Sequence, residues 1–145
     1  MGNSPKTPPR PTEGELAILS ALWQMGPSTV REIHQHLARE IAYTTVLKLL
    51  QIMTEKGLVK RDESLRTHVY AAAQPAKTTQ RQLVKNLLEK AFAGSAANLV
   101  LQALATKKAS AEELTQIRKL LDEYQDKAAP RAPGNDSSIK NGDEP

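Results

Sequence analysis

The 145-residue sequence contains no cysteine and very few aromatic residues. The absence of cysteine excludes disulfides and thiolate metal sites, and it is compatible with a reducing cytosol. Aromatic residues make up only 3% of the chain, so the core must be built mainly from Leu, Ile, Val and Ala. That composition suits helices better than a β-sandwich or barrel. We therefore expect a mainly α protein.

Long apolar runs are also missing, since no segment approaches the roughly 20 apolar residues that a membrane-spanning helix needs. We expect no membrane insertion and a cytoplasmic location. The apolar-poor ends, residues 1–11 and 128–145, are predicted to be a disordered arm and tail. A net charge of only +4 means that any contact with nucleic acid must come from a local arrangement of basic groups.

Capping boxes mark the starts of two helices near the N-terminus. Thr12 and Glu15 have the spacing in which a hydroxyl and a carboxylate each satisfy a backbone N–H group, and Thr29 and Glu32 repeat it. The first helix is expected to end at Gly26-Pro27. These signals predict two short, consecutive helices with a tight connection.

A third helix is predicted from Tyr43 to Lys56, followed by a small β-wing. Gly57 supplies the left-handed position that ends the helix. Strands are predicted at residues 58–61 and 67–71, joined by a polar turn. The buried stripe of the third helix is expected to be Val46, Leu49, Leu50 and Met53. This order predicts a winged helix-turn-helix domain over residues 12–73.

The polar face of the third helix and the wing carry side chains suited to DNA. Hydroxyl and amide groups can bond base edges, and basic groups reach guanine or phosphate. An ordinary solvated helix face has the same composition, but the wing that follows favours DNA recognition. The candidate DNA-binding residues are Arg31, Tyr43, Thr44, Thr45, Lys48, Gln51, Lys60, Arg61 and Arg66.

Residues 74–127 are predicted to form a helical dimerisation domain. Helical patterns cover residues 79–92 and 96–105, and a capping box at Ser110 opens a last helix. Short helices owe most of their stability to tertiary packing, so their apolar seams need a partner, most simply a second copy. The predicted dimerisation residues are Leu83, Leu87, Val100, Leu104, Leu114, Ile117, Leu121 and Tyr124. A two-fold dimer would present two recognition helices to palindromic DNA.

Metal binding and catalysis receive little support. His34 and His36 are two residues apart, so on a helix they point in different directions. The sequence has no nucleophile elbow, Gly-rich phosphate loop or zinc-protease motif. We expect no enzyme activity and no cofactor. Two alternatives to a DNA-binding protein of this kind stay open: a ligand-sensing regulator with a pocket between wing domain and dimer helices, or a winged-helix protein interaction module.

Several segments resemble, in order and spacing, the BlaI/MecI/CopY penicillinase-repressor family. They are Glu15-Leu16 leading to Leu22-Trp23, Thr29-Val30-Arg31-Glu32-Ile33, Ala42-Tyr43-Thr44-Thr45-Val46-Leu47, Glu55-Lys56-Gly57-Leu58-Val59 and Val69-Tyr70. The resemblance covers roughly residues 12–127. It implies a dimeric winged-helix repressor whose C-terminal helices interlock and which reads a short inverted repeat. Thr44, Thr45 and Lys48 match the family's base-reading positions, and Arg66 matches the wing contact.

The sequence departs from that family at three places. Many relatives carry Arg after the Asn or Gln of the recognition helix, where this chain has Gln51-Ile52. The Cys-rich metal hook of the copper-responsive branch is absent. Relatives that are inactivated by proteolysis follow the Leu99-Val100-Leu101 region with Asn-Phe, whereas Gln102-Ala103 stands here. The resemblance thus implies a sensor protease or another inducing partner, but not β-lactam control.

Overall fold

The computed structural model describes residues 10–37 and 41–128. Most of the predicted disordered arm and tail, residues 1–9 and 129–145, lies outside the described residues, and Ala128 is the last residue of a helix. The elements in chain order are α1 Glu13–Met25, α2 Val30–Leu37, α3 Tyr43–Lys56, β1 Val59–Asp62, β2 Val69–Ala72, α4 Ala76–Ala91, α5 Ala96–Thr106 and α6 Ala111–Ala128. This order confirms a mainly α chain with a winged helix-turn-helix.

Local capping interactions start α1 and α2 and end α3 where the sequence predicts. The Thr12 hydroxyl accepts from the Glu15 N–H at 3.2 Å, and the Glu15 carboxylate accepts from the Thr12 N–H at 2.9 Å. Thr29 and Glu32 form the same reciprocal pair at 3.2 and 2.9 Å. Gly57, at φ 82°, takes the left-handed conformation after α3. The predicted capping boxes of α1 and α2 are confirmed, and at the predicted box of α6 the Ser110 hydroxyl accepts from the Glu113 N–H at 3.0 Å.

The core lies between α1, α2, α3 and the base of the wing. Val46, Leu50 and Met53 of α3 are fully buried, while Leu49 of the predicted stripe is partly buried. The buried cluster is Ile18, Leu19, Leu22, Val30, Ile33, Val46, Leu50, Met53, Leu58, Val59 and Tyr70. As the composition indicates, aliphatic side chains supply all of it except Tyr70 and Met53.

The wing is a two-stranded antiparallel sheet in which Val59 pairs with Ala72 and Asp62 with Val69. Its strands are shifted toward the C-terminus from the predicted ranges 58–61 and 67–71. Leu58 was expected to begin the first strand, but its N–H donates to the Met53 carbonyl at 2.9 Å and closes the end of α3. Leu58 therefore belongs to the end of α3, and β1 begins one residue later, at Val59.

A buried ion pair joins the start of α1 to the end of α3. The Lys56 ammonium lies 2.8 Å from Oε2 of Glu15, whose side chain is only 2% exposed. Burial alone would raise the pKa of Glu15, but the hydrogen bond from Lys56 and the Thr12 N–H outweigh it and lower that pKa below its ordinary value. The pair thus connects two helix ends that are 41 residues apart in sequence.

Trp23 connects α1 to the segment after the wing. It is partly buried against the core. Its indole N–H also donates to the Gln74 carbonyl at 2.9 Å, which gives the polar edge of the ring a partner. This contact holds the chain between β2 and α4 against the winged-helix core.

The chain divides into two compact units, Met1–Gly94 and Ser95–Pro145. Helix α4 lies in the first unit and begins at Ala76, three residues before the predicted start, because Pro75 takes the N-cap position. The predicted boundary at residue 73 stays a prediction, since a dimerisation domain is defined by contacts with a second chain. In the part of the chain that the structure describes, every helix is too short or too polar to cross a lipid bilayer.

Candidate nucleic-acid interface

Helix α3 separates its polar residues cleanly from its buried ones. Its inner face is formed by Val46, Leu50 and Met53, which have no exposed surface. The residues predicted to read bases lie on the outer face, and all are exposed: Thr44, Thr45, Lys48 and Gln51. Because the core packs against the inner face, these four side chains remain accessible over more than one turn. A helix presented in this way has the dimensions to enter a DNA major groove.

The start of α3 has no side-chain cap. Its N-cap residue is Ala42, which provides no acceptor for the first N–H groups of the helix. Tyr43 follows and is exposed, with its ring in edge-to-face contact with His34 at 5.6 Å between centroids. Tyr43 is therefore held in place by α2 while one side of its ring stays accessible.

A short backbone bridge fixes α2 against the wing. The Ser28 N–H donates to the Tyr70 carbonyl at 2.9 Å, and the Tyr70 N–H donates to the Ser28 carbonyl at 2.8 Å. Ser28 directly precedes the capping box of α2, so the first turn of α2 is held beside β2. Ser28 and Tyr70 are far apart in sequence, so local sequence patterns do not predict this bridge. It places Arg31 near the wing.

Three of the predicted DNA-binding residues line one open cleft of about 530 Å³. Arg31 comes from α2, Tyr43 from α3 and Arg66 from the wing loop. The cleft is also lined by Thr29, Val30, Leu47, Thr67, His68 and Tyr70. Among these, Thr29, Thr67 and His68 are polar residues that the sequence analysis did not select. Thr67 and His68 could have been selected because they directly follow Arg66 in the wing. The sequence marks Thr29 only as a helix cap.

Lys60 and Arg61 occupy opposite faces of β1, since adjacent strand residues alternate. Arg61 pairs across the sheet with Tyr70, and its guanidinium lies 2.6 Å from the Glu63 carboxylate. The Tyr70 hydroxyl and the Glu63 carboxylate raise the pKa of Arg61 above its ordinary value. A DNA phosphate would have to compete with Glu63 for Arg61, whereas Lys60 is exposed on the other face.

The start of the wing loop is held by a local hydrogen bond. The Asp62 carboxylate accepts from the Ser64 N–H at 2.9 Å. That bond lowers the pKa of Asp62. Together with the Arg61 and Glu63 pair, it orders the chain just before Arg66.

The two histidines of α2, His34 and His36, contact different residues. His34 packs against Tyr43, and Nε2 of His36 lies 3.0 Å from Oε1 of Gln24. Within residues 10–37 and 41–128, no group of three or more His, Asp or Glu side chains is placed to hold a metal ion.

Comparison with known proteins identifies relatives of this chain. A sequence profile of the family described as penicillinase repressor matches residues 11–123. Transcriptional regulator BlaI from Mycobacterium tuberculosis, strains CDC 1551 / Oshkosh and ATCC 25618 / H37Rv, is 42% identical over 60 residues. That alignment covers 39% of this chain and 44% of each relative, so the chain matches less than half the length of these curated relatives.

Solved structures of other regulators show a more distant similarity. A MarR family protein from Bacillus stearothermophilus is 20% identical with a TM-score of 0.44, over 80% of this chain and 74% of that one. AbfR of Staphylococcus epidermidis is 17% identical with a TM-score of 0.43, over 81% and 73%. At these TM-scores the similarity supports no conclusion about this chain.

The family match runs from just before α1 into α6 and contains the whole winged helix. It agrees with the resemblance carried by the capping boxes, the start of α3 and the strands of the wing. The chain belongs to the penicillinase repressor family, a family of transcriptional repressors rather than enzymes.

Proposed function

We propose that this protein is a cytoplasmic, homodimeric repressor that occupies a palindromic operator in double-stranded DNA. The observation that carries the proposal is the exposed polar face of α3, set next to a cleft where Arg31, Tyr43 and Arg66 converge. The helix supplies groups that read base edges, and the cleft supplies groups that hold the backbone.

Each part of the face has a distinct chemical role. The Thr44 and Thr45 hydroxyls can donate to or accept from base edges, and the methyl groups of these residues can pack on thymine. Lys48, one helical turn further on, reaches guanine or a phosphate, and Gln51 can pair with adenine. These four residues read sequence, whereas the arginines around the cleft contribute affinity that depends little on sequence.

Exposed apolar side chains support a dimer. Helices α5 and α6 have no buried residue in the single chain. Leu121 and Tyr124 of α6 are 59% and 68% exposed. Contiguous apolar seams of this kind are expected to be covered by a partner, and a second copy would cover both seams by symmetry. The same two-fold axis would then present two copies of α3 to an inverted repeat.

We assign release of the operator to a separate inducing partner, with a sensor protease as the first candidate. The basis is the resemblance to repressors that are inactivated by proteolysis. The corresponding positions here, Gln102 and Ala103, are exposed within α5. Cleavage there would separate α6 from the rest of the chain and so remove one of the proposed dimerisation helices.

The proposal is tested by mobility shift over a salt series, using the DNA upstream of the protein's own coding region and a scrambled duplex. We expect specific binding whose log–log salt slope grows by about −0.9 for each phosphate contact. Thr45→Ala and Lys48→Ala should each weaken specific binding by about 1–3 kcal/mol for a lost base contact. Binding to the scrambled duplex should change much less for Thr45→Ala.

Thr78→Ala and Lys77→Ala serve as matched controls, because both residues are exposed on α4 rather than on α3. They should bind like the wild-type protein. Equal, weak binding of the wild type to both duplexes would argue against an operator at that locus. Unchanged specific binding by both α3 variants would show that α3 is not the base-reading helix.

A further inference from the structure

The cleft between α2, α3 and the wing loop is lined by basic and hydroxyl side chains from separate elements. Arg31, Arg66 and His68 bring two permanent cations and one titratable group to a space of about 530 Å³. Thr29 and Thr67 add hydroxyls to the same wall. Among residues 10–37 and 41–128, no Asp or Glu lines this cleft. This chemistry suits a phosphate oxyanion.

The acidic residues closest in sequence to Arg31 and Arg66 are Glu32 and Glu63, and neither lines this cleft. Glu32, in the first turn of α2, is bound to the Thr29 N–H at 2.9 Å and lines a different cleft. Glu63, at the start of the wing loop, forms the ion pair with Arg61. Among the residues that the structure describes, no carboxylate in the walls therefore offsets the positive charge of the cleft.

We propose that this cleft binds one phosphate of the DNA backbone and that His68 is one of its ligands, together with Arg31 and Arg66. The proposal rests on the proposed operator binding and identifies a contact that makes it sensitive to pH. His68 is exposed at the end of the wing loop, two residues after Arg66. It lines the same cleft as Arg31 and Tyr43.

A histidine ligand behaves differently from an arginine ligand. A protonated imidazole donates from both nitrogens and carries a charge, whereas a neutral one donates from a single nitrogen. Histidine changes charge between about pH 5 and 8, while arginine stays charged throughout this range. Affinity for DNA should therefore rise as pH falls through this range, and the rise should depend on His68.

The test compares DNA binding of the full chain at pH 6 and pH 8 over a salt series, with the upstream duplex and its scrambled version as probes. At pH 6, His68→Asn should bind both duplexes about fivefold more weakly than the wild type, with a salt slope smaller by about 0.9. At pH 8 the two proteins should bind alike. Arg66→Gln should lose about the same slope at both pH values, because its charge does not titrate.

The other histidines supply matched controls. His36→Asn changes an exposed histidine that bonds Gln24 and lines a different cleft, so it should keep the wild-type pH response. His34→Asn tests the histidine that packs on Tyr43, and it should also keep the response. Unfolding temperatures of all variants at both pH values establish that the fold is intact.

The outcomes separate the two levels of the proposal. If the wild type binds its upstream duplex specifically, and His68→Asn keeps the wild-type pH response and salt slope, the phosphate contact at His68 is wrong while operator binding stands. If the response disappears in His34→Asn instead, the ligand is misassigned and the proposal fails. If the wild type binds neither duplex at low salt, operator binding and the phosphate contact both fail.

Discussion

The two compact units of this chain differ most in what they bury. The first unit, Met1–Gly94, completes a core in which residues of α1, α2, α3 and the wing have almost no exposed surface. In the second unit, helices α5 and α6 have regular geometry but bury no residue. A regular helix therefore need not belong to a buried hydrophobic core.

This difference suits the first unit to DNA binding and the second to association with a partner. A self-contained core can hold the α3 face and the cleft in fixed positions, which reading DNA requires. A pair of helices with open apolar seams depends on what it packs against, and in the proposed repressor that is a second copy. The following variants test whether the units really differ in this way, beginning with the largest expected effect.

Truncation of a core side chain in the first unit should be the most damaging change. Leu50 of α3 has no exposed surface, and Leu50→Ala should lower the free energy of unfolding by about 2–5 kcal/mol. Leu65→Ala, in the wing loop where the side chain is 62% exposed, should change it by less than about 0.5 kcal/mol. Urea unfolding followed by circular dichroism measures both. Similar losses in the two variants would contradict the assigned core.

A charge in the proposed dimer seam should separate the protomers. Leu121→Asp places a carboxylate on the apolar face of α6, and we expect a loss of about 2 kcal/mol or more in association free energy. That corresponds to at least a roughly 30-fold weaker dimer. Sedimentation equilibrium measures the change. Lys119→Asp, on the same helix outside the predicted seam, is the control. A wild-type protein that stays monomeric at high concentration would rule out the dimer.

Removal of the ammonium from the buried ion pair should destabilise the first unit in a pH-dependent way. Lys56→Met leaves Glu15 buried without its partner. Because Lys56 is partly exposed, we expect a loss of about 1–3 kcal/mol at neutral pH, less than for a fully buried pair. Lys60→Met removes an exposed lysine of β1 and should have little effect.

The pH dependence of that loss follows from the lowered pKa of Glu15. The contribution of the pair is complete above the unfolded-state pKa and disappears as the pH falls through the lower folded-state pKa. The difference between wild type and Lys56→Met should therefore shrink below about pH 4. Unfolding at pH 7, 5 and 3 measures it. A constant difference at all three values would show that Glu15 is not its source.

Helix caps should show the smallest effects and no contrast between units, because capping is local. Thr12 caps α1, and Ser95 caps α5 by accepting from the Asn98 N–H at 3.1 Å. Thr12→Ala and Ser95→Ala should each cost about 1 kcal/mol in unfolding free energy. Thr78→Ala, which removes no capping bond, is the reference. A negligible cost for Ser95→Ala alone would mean that α5 is held mainly by its packing.

Elements set by neighbouring residues were predicted closely. The bounds of α1 to α3 follow from the capping boxes, the Gly57 cap and the spacing of Val46, Leu50 and Met53. The start of β1 differs from the prediction because Leu58 fits both a strand pattern and a helix end. In the structure its N–H donates to the Met53 carbonyl, so Leu58 ends α3. Exposure of the nine predicted DNA-binding residues agrees with their proposed role, whereas their contacts with DNA remain predictions.

The helices, most of their caps, the polar face of α3 and the apolar seams of the C-terminal helices follow from the amino-acid sequence alone. These features depend on interactions over three or four residues or on periodicity along one element. Three contacts depend instead on the tertiary fold: Ser28 pairs with Tyr70, Lys56 neutralises Glu15, and His68 lines one cleft with Arg31. Such contacts join distant parts of the chain, and they form only after the shared core brings those parts together.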